Sequence, residues 1–157
     1  MAMREVERKF LVTSNTFKAE AKSELEIKQG FLSTDPERTV RVRLQDGFGK
    51  ITVKGISDQE GISRFEWEHD ITEQEAGQLL QLCTGIIITK TRYRIPYGTH
   101  VFEVDVFEGP NAGLIVAEVE LKDPDEPFEK PTWLGKEVTG DPKYYNAQLS
   151  IKAYNQW

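Results

Sequence analysis

The feature of this chain that most restricts its fold is an alternation of charged and apolar side chains, with a period of two, in one segment after another. Consecutive side chains of a β-strand point to opposite faces, so this alternation gives each segment a charged side and an apolar side. Candidate strands lie near 3–12, 24–32, 38–45, 50–56, 63–71, 87–96, 100–108 and 114–122. Glu5, Glu7 and Lys9 oppose Val6 and Phe10, and Arg41 and Arg43 oppose Val40, Val42 and Leu44. Lys50, Thr52 and Lys54 oppose Ile51 and Val53, while Glu66, Glu68 and Asp70 oppose Phe65, Trp67 and Ile71. Lys90, Arg92 and Arg94 share a face, as do Glu103 with Asp105 and Glu118 with Glu120. Asp46-Gly47 and Gly98 separate two pairs of these segments, which is the chemistry of tight antiparallel turns.

Thr72-Glu73-Gln74-Glu75 is a capping box and predicts a short helix to about Cys83. Further helices are expected near 15–22 and 142–154, where Tyr145, Leu149 and Ala153 recur at four-residue steps. Three prolines among acids make 123–133 an exposed loop. With 157 residues, 38% hydrophobic and 29% charged, and no repeat or flexible linker, the chain reads as a single domain over 1–157. Cys83 is the one cysteine, and no stretch approaches the roughly twenty apolar residues that span a bilayer, so a cytoplasmic protein with no membrane partner is expected. The net charge of −6 argues against nucleic acid as a partner.

Charged faces can simply be the wet side of a β-sandwich. Wet faces, however, mix signs, whereas here sign is segregated by strand, and neighbouring like charges cost stability unless a ligand offsets them. The fold class this predicts is α+β and mainly β: a closed eight-stranded antiparallel barrel, its apolar faces covered outside by helices. The charged faces then line a tunnel. Lys9, Lys28, Arg41, Arg43, Lys54, Lys90, Arg92 and Arg94 would face a comparable number of carboxylates. Cations of this kind hold phosphate oxygens, and clustered carboxylates hold a hard divalent cation such as Mg²⁺ or Mn²⁺. The acids thereby reconcile a negative chain with an anionic ligand.

These residues resemble the CYTH family, also called triphosphate tunnel metalloenzymes. Glu5-Val6-Glu7-Arg8-Lys9, Arg41-Val42-Arg43, Lys54, Glu66/Glu68, Lys90-x-Arg92, Glu103-Val104-Asp105 and Glu118-Val119-Glu120 stand in the family's order, and 135–139 resembles its closing segment. The resemblance implies metal-dependent hydrolysis of the terminal phosphoanhydride of a triphosphate. Inorganic triphosphate is the expected substrate, since the chain has no insertion to recognise a nucleoside. It also implies metal binding by Glu5, Glu7, Glu118 and Glu120, to which Asp105 is added, and substrate binding by Lys9, Arg41, Arg43, Lys54, Lys90 and Arg92, to which the lumen reading adds Lys28. Glu118, Glu68 and Lys9 are the expected catalytic residues, with Glu118 or Glu68 accepting a proton from the attacking water. Phe31 follows Gln29-Gly30 where the family often has Tyr, which removes a hydroxyl contact. Other readings are a nucleoside or thiamine triphosphatase, an adenylate cyclase of the same family, and a noncatalytic polyphosphate-binding module. A homodimer is compatible with the sequence. His69, His100 and Cys83 read as surface or packing residues, and Phe65, Trp67, Tyr93 and Phe102 as covers of the barrel exterior.

Overall fold

Each alternating segment is a strand in the computed structural model, which describes residues 3–157. The strands are β1 (Arg4–Val12), β2 (Ser23–Ser33), β3 (Thr39–Gln45), β4 (Phe48–Ser57), β5 (Ser63–Thr72), β6 (Thr84–Tyr97), β7 (His100–Phe107) and β8 (Ile115–Glu120). They pair antiparallel in the order β5-β4-β3-β2-β6-β7-β8-β1, and a β1–β5 pairing closes the barrel, with Glu5 opposite Arg64. Closure removes the free edges that an open sheet would expose. A ninth strand, β9 (Leu134–Glu137), pairs with Phe10 and Val12 of β1 on the edge that β5 leaves unused. The charge pattern does not reveal β9, because an edge strand on the outside of a barrel has no lumen face to mark it.

The turn between β3 and β4 places Asp46 and Gly47 at φ +45° and +80°, the left-handed pair that a two-residue hairpin requires. After β5, Thr72 accepts from the Glu75 amide at 3.0 Å and the Glu75 carboxylate accepts from the Thr72 amide at 2.9 Å. This box opens the Glu73–Leu80 helix, whose Ala76 packs on the outside of the barrel over Gly49. The first expected helix is the single turn α1 (Phe17–Glu20), and with it in place the capped helix is α2.

Burial is concentrated on the other outer wall. Phe17 of α1, Trp133 and Phe102 are at most 1% exposed and meet edge to face at centroid distances of 5.7–5.8 Å. Tyr93 joins them against Phe17, and the 123–133 loop contributes Phe128. Full burial of such side chains stabilises by about 1.5–3 kcal/mol each. Phe65 and Trp67, by contrast, stay 45% and 38% exposed on the outside of β5.

The expected helix over 142–154 is broken into a 3₁₀ turn (Pro142–Tyr144), α3 (Asn146–Leu149) and a second 3₁₀ turn (Tyr154–Gln156). The cause is an apolar cluster at one end of the barrel. The inward faces turn from charge to hydrocarbon there, at Leu11, Ile88, Phe107 and Val116, and the C-terminal segment inserts Tyr144 and Leu149 among them. A straight helix could not follow that rim. Gly140, at φ +79°, lets the segment turn in against the backbone of Gly61.

Candidate active site

Register decides which charges meet. Glu7 lies directly opposite Glu120, Glu103 opposite Glu118, and Arg43 opposite Lys50. Like charges in that position are destabilising, so this arrangement is unlike one selected for ion pairing alone. The inward faces surround a cavity of about 450 Å³. Arg41, Arg43, Lys54, Lys90 and Arg92 project into it from β3, β4 and β6, facing the glutamates of β1 and β8.

On the acidic side, Lys54 Nζ lies 2.8 Å from Glu5 and 3.4 Å from Glu66, and Lys9 Nζ lies 3.6 Å from Glu118. Burial pushes the Glu118 carboxyl up, but the Lys9 ammonium, a hydrogen bond with Glu7 and the Arg92 charge together outweigh it and hold the group at about 2. Glu7 goes the other way, since burial and then the charges of Glu118 and Glu5 raise it well above the usual carboxylate range. Burial, hydrogen bonding to Glu5 and the Glu5 charge lift Glu66 to about 7. Glu120 is also raised, by burial and then by Glu103 and Glu5. Glu7, Glu66 and Glu120 are thus crowded enough to hold protons they would lose in water, whereas Glu118 and Glu5 stay ionised.

The basic side is crowded as well. Burial lowers Arg43 to about 9, and the charges of Arg41 and Arg92 add to the effect. Lys90 falls to about 7 through burial, with Arg92 and Arg43 opposing the help it receives from Asp105. Arg41 donates to Thr52 at 3.0 Å and to Glu68 at 3.3 Å, while its buried Nε has no partner among the described residues. Unpartnered donors and depressed cations next to a cavity are relieved by a polyanion.

A family model described as the CYTH domain matches residues 3–148. The chain belongs to the CYTH family. It is 43% identical over 155 residues to an inorganic triphosphatase of Acetivibrio thermocellus, covering 98% of this chain and 97% of that one. It is 35% identical over 153 residues to an inorganic triphosphatase of Nitrosomonas europaea, covering 95% and 98%. The crystal structure of the inorganic triphosphatase NE1496 superposes with a TM-score of 0.66 at 33% identity, covering 94% of this chain and 97% of that one. The PH1012 protein of Pyrococcus horikoshii shares the fold, with a TM-score of 0.61 at 22% identity over 76% of this chain and 80% of that one.

Membership of the CYTH family implies a divalent metal ion. Among the described residues no three His, Cys, Asp or Glu side chains stand ready at ligating geometry. The donor set nonetheless fits a hard cation, because Glu5, Glu7, Glu118 and Glu120 are lumen carboxylates, and burial, with neighbouring carboxylates adding to it, disfavours their charge at Glu7 and Glu120.

Two expected site residues are placed elsewhere. Lys28 is exposed on the outside of β2, because Ile27 and Gln29, buried on either side of it, take the inward positions. Asp105 is 2% exposed with both oxygens occupied, by Arg92 at 2.8 and 2.9 Å and by Lys90 at 2.7 Å. It is the counter-ion that holds these two cations, and it does not line the cavity where a metal would sit. Phe31 lies in the cavity wall opposite Arg41 and supplies no hydroxyl. The charge pattern placed Thr52 on the lumen face but missed Gln29, Tyr145 and Asn146, which line the cavity or bond its charges while being neutral. For Thr52 the alternation was the available signal, since it occupies the position between Lys50 and Lys54.

Proposed function

We propose that this protein hydrolyses inorganic triphosphate to pyrophosphate and phosphate, using Mg²⁺ or Mn²⁺. The observation that carries the reading is one cavity in which a wall of arginines and lysines faces a wall of glutamates. The two relatives named inorganic triphosphatase, which match nearly the full chain, support the same substrate. Arg41, Arg43, Lys54, Lys90 and Arg92 bind phosphate oxygens, and Lys9, anchored beside Glu118, serves the reacting phosphate. Fixing the chain of phosphates in this way supplies orientation and offsets charge at the equatorial oxygens. Glu5, Glu7, Glu118 and Glu120 would hold the metal, which when bound neutralises phosphate charge and lowers the pKa of water.

Proton acceptance is assigned to Glu68. Glu118, held at about 2 by Lys9 together with the Glu7 hydrogen bond and Arg92, stays ionised and is a weak base. Glu68 uses one oxygen, Oε2, for Thr52 and Arg41, and its other oxygen carries no hydrogen bond among the described residues. A cytoplasmic location belongs to the same proposal, supported by Cys83 being a free thiol that packs against Gly30.

The test is phosphate release from inorganic triphosphate, ATP, thiamine triphosphate and pyrophosphate, each with Mg²⁺, Mn²⁺ or excess chelator. Triphosphate turnover that needs the metal, with pyrophosphate accumulating, is the expected result. Equal turnover of pyrophosphate, full activity in chelator, or a preference for ATP or thiamine triphosphate would overturn it.

A further inference from the structure

The C-terminal segment reaches into the cavity through Asn146, at the first residue of α3. Its carboxamide oxygen accepts from Gln29 Nε2 at 2.7 Å and from Lys90 Nζ at 2.9 Å. Gln29 in turn accepts from Arg43 Nε through its own oxygen, at 3.1 Å. This chain has one consistent orientation. Lysine and arginine only donate, so an oxygen of each amide must face its cation, and Gln29 must then present its NH₂ to Asn146. Gln29 is fully buried and Lys90 is 1% exposed, so neither partner can swing out to relax the arrangement.

Both lone pairs of the Asn146 oxygen are therefore used, and its NH₂ group is turned away from Lys90 and Gln29. That group has no partner among the described residues, and the residue lies in the cavity wall. What faces the cavity there is a fixed donor beside Lys90 and Arg43, with Lys9 bonded to the neighbouring Tyr144 carbonyl at 3.4 Å. A site made of donors selects an acceptor-rich anion.

We infer that Asn146 is a substrate-binding residue whose NH₂ donates to a phosphate oxygen at the end of the lumen that the C-terminal segment lines. The inference rests on the triphosphate reading, and it adds a neutral contact from outside the barrel strands. The C-terminal segment becomes part of the binding site as well as a cover for the apolar rim.

Asn146→Asp is the decisive variant, since it keeps the shape and the acceptor for Lys90 and Gln29 while replacing the donor with a negative oxygen. Binding of inorganic triphosphate is measured by calorimetry in chelator, alongside KM and kcat with Mg²⁺ and the apo melting temperature. Asn146→Asp should weaken binding and raise KM at least tenfold, equivalent to about 1.4 kcal/mol, with the apo melting temperature held within a few degrees. Asn146→Ala, which removes the donor without adding a negative charge, should still weaken binding beyond twofold and serves if the Asp variant does not fold. Lys152→Ala, exposed in the same segment, should leave both constants unchanged. If Asn146→Asp and Asn146→Ala both bound triphosphate within twofold of wild type, the Asn146 carboxamide would make no contact with the substrate, and the inference would be overturned. Wild type that binds triphosphate in chelator yet fails to hydrolyse it when Mg²⁺ or Mn²⁺ is supplied would refute the proposed reaction and leave the Asn146 contact testable by affinity alone.

Discussion

Glu66→Gln tests whether the lumen stores repulsion that a ligand relieves. Glu66 shares a hydrogen bond with Glu5, and burial together with that neighbour pushes its carboxyl up to about 7. Against the ordinary glutamate value of 4.5, at about 1.4 kcal/mol per tenfold change, the charged form is disfavoured by at most about 3.5 kcal/mol. Solvent still reaches 19% of the side chain, and screening reduces the figure to about 1–2 kcal/mol. The sign follows from proton counting. Between the ordinary value and about 7 the folded protein binds more protons than the unfolded chain, so stability contributed by this group falls as pH rises through that window. Glutamine can still donate to Glu5 and never ionises. The variant should therefore match wild type at acid pH and melt about 2–8 °C higher at pH 8, at roughly 2–4 °C per kcal/mol for a chain of this size. Apo protein in chelator, melted across pH in a calorimeter, gives the measurement. A Glu66→Gln protein that melts lower than wild type at pH 8 would show that the Glu66 charge is needed to balance Lys54, 3.4 Å away, and would refute stored repulsion.

Glu7→Gln or Glu120→Gln should leave the apo melting temperature unchanged or raise it, while removing most of the stabilisation from metal plus triphosphate, about 2.7 kcal/mol at a hundred times the dissociation constant; large apo destabilisation with the ligand shift intact would sink their assignment to the metal. Arg41→Ala should raise KM for triphosphate at least tenfold, whereas Lys28→Ala, on the outer face, should stay within twofold in steady-state kinetics, and equal losses in the two would return Lys28 to the site. Gly49→Val should cost about 1–3 kcal/mol by overpacking, because even a Cβ there would lie 2.5 Å from that of Ala76; an unchanged denaturant midpoint would show that α2 is not seated as described.

The contact between Glu7 and Glu120 shows how far reading the chain alone can go. Period-two alternation fixes which side chains share a face of each strand, because the pleat leaves no other option. Segregated signs then argue that these faces meet around a ligand, and the ordered motifs name the family. Strand boundaries near Arg4–Val12 and Thr39–Gln45, the Asp46-Gly47 turn and the Thr72 capping box are all local, and local chemistry specifies them. Lys28 and Asp105 mark the limit of that reasoning. Both carry charge on a strand, yet the β2 face of Lys28 points outward, and Asp105 is consumed by Arg92 and Lys90 across one ladder. The second outcome depends on cross-strand register, a long-range quantity that alternation does not encode.

By itself, then, the sequence determined the strands, the charged face of most of them and the class of anion those faces suit, since each follows from the geometry of a few consecutive residues. Only the tertiary structure decided that β1 closes on β5, that β9 lies along the remaining edge of β1, and that the C-terminal segment breaks into short turns to bring Asn146 beside Lys90. Those choices join residues more than fifty positions apart, and they are fixed by burying an apolar rim that exists once the barrel has closed.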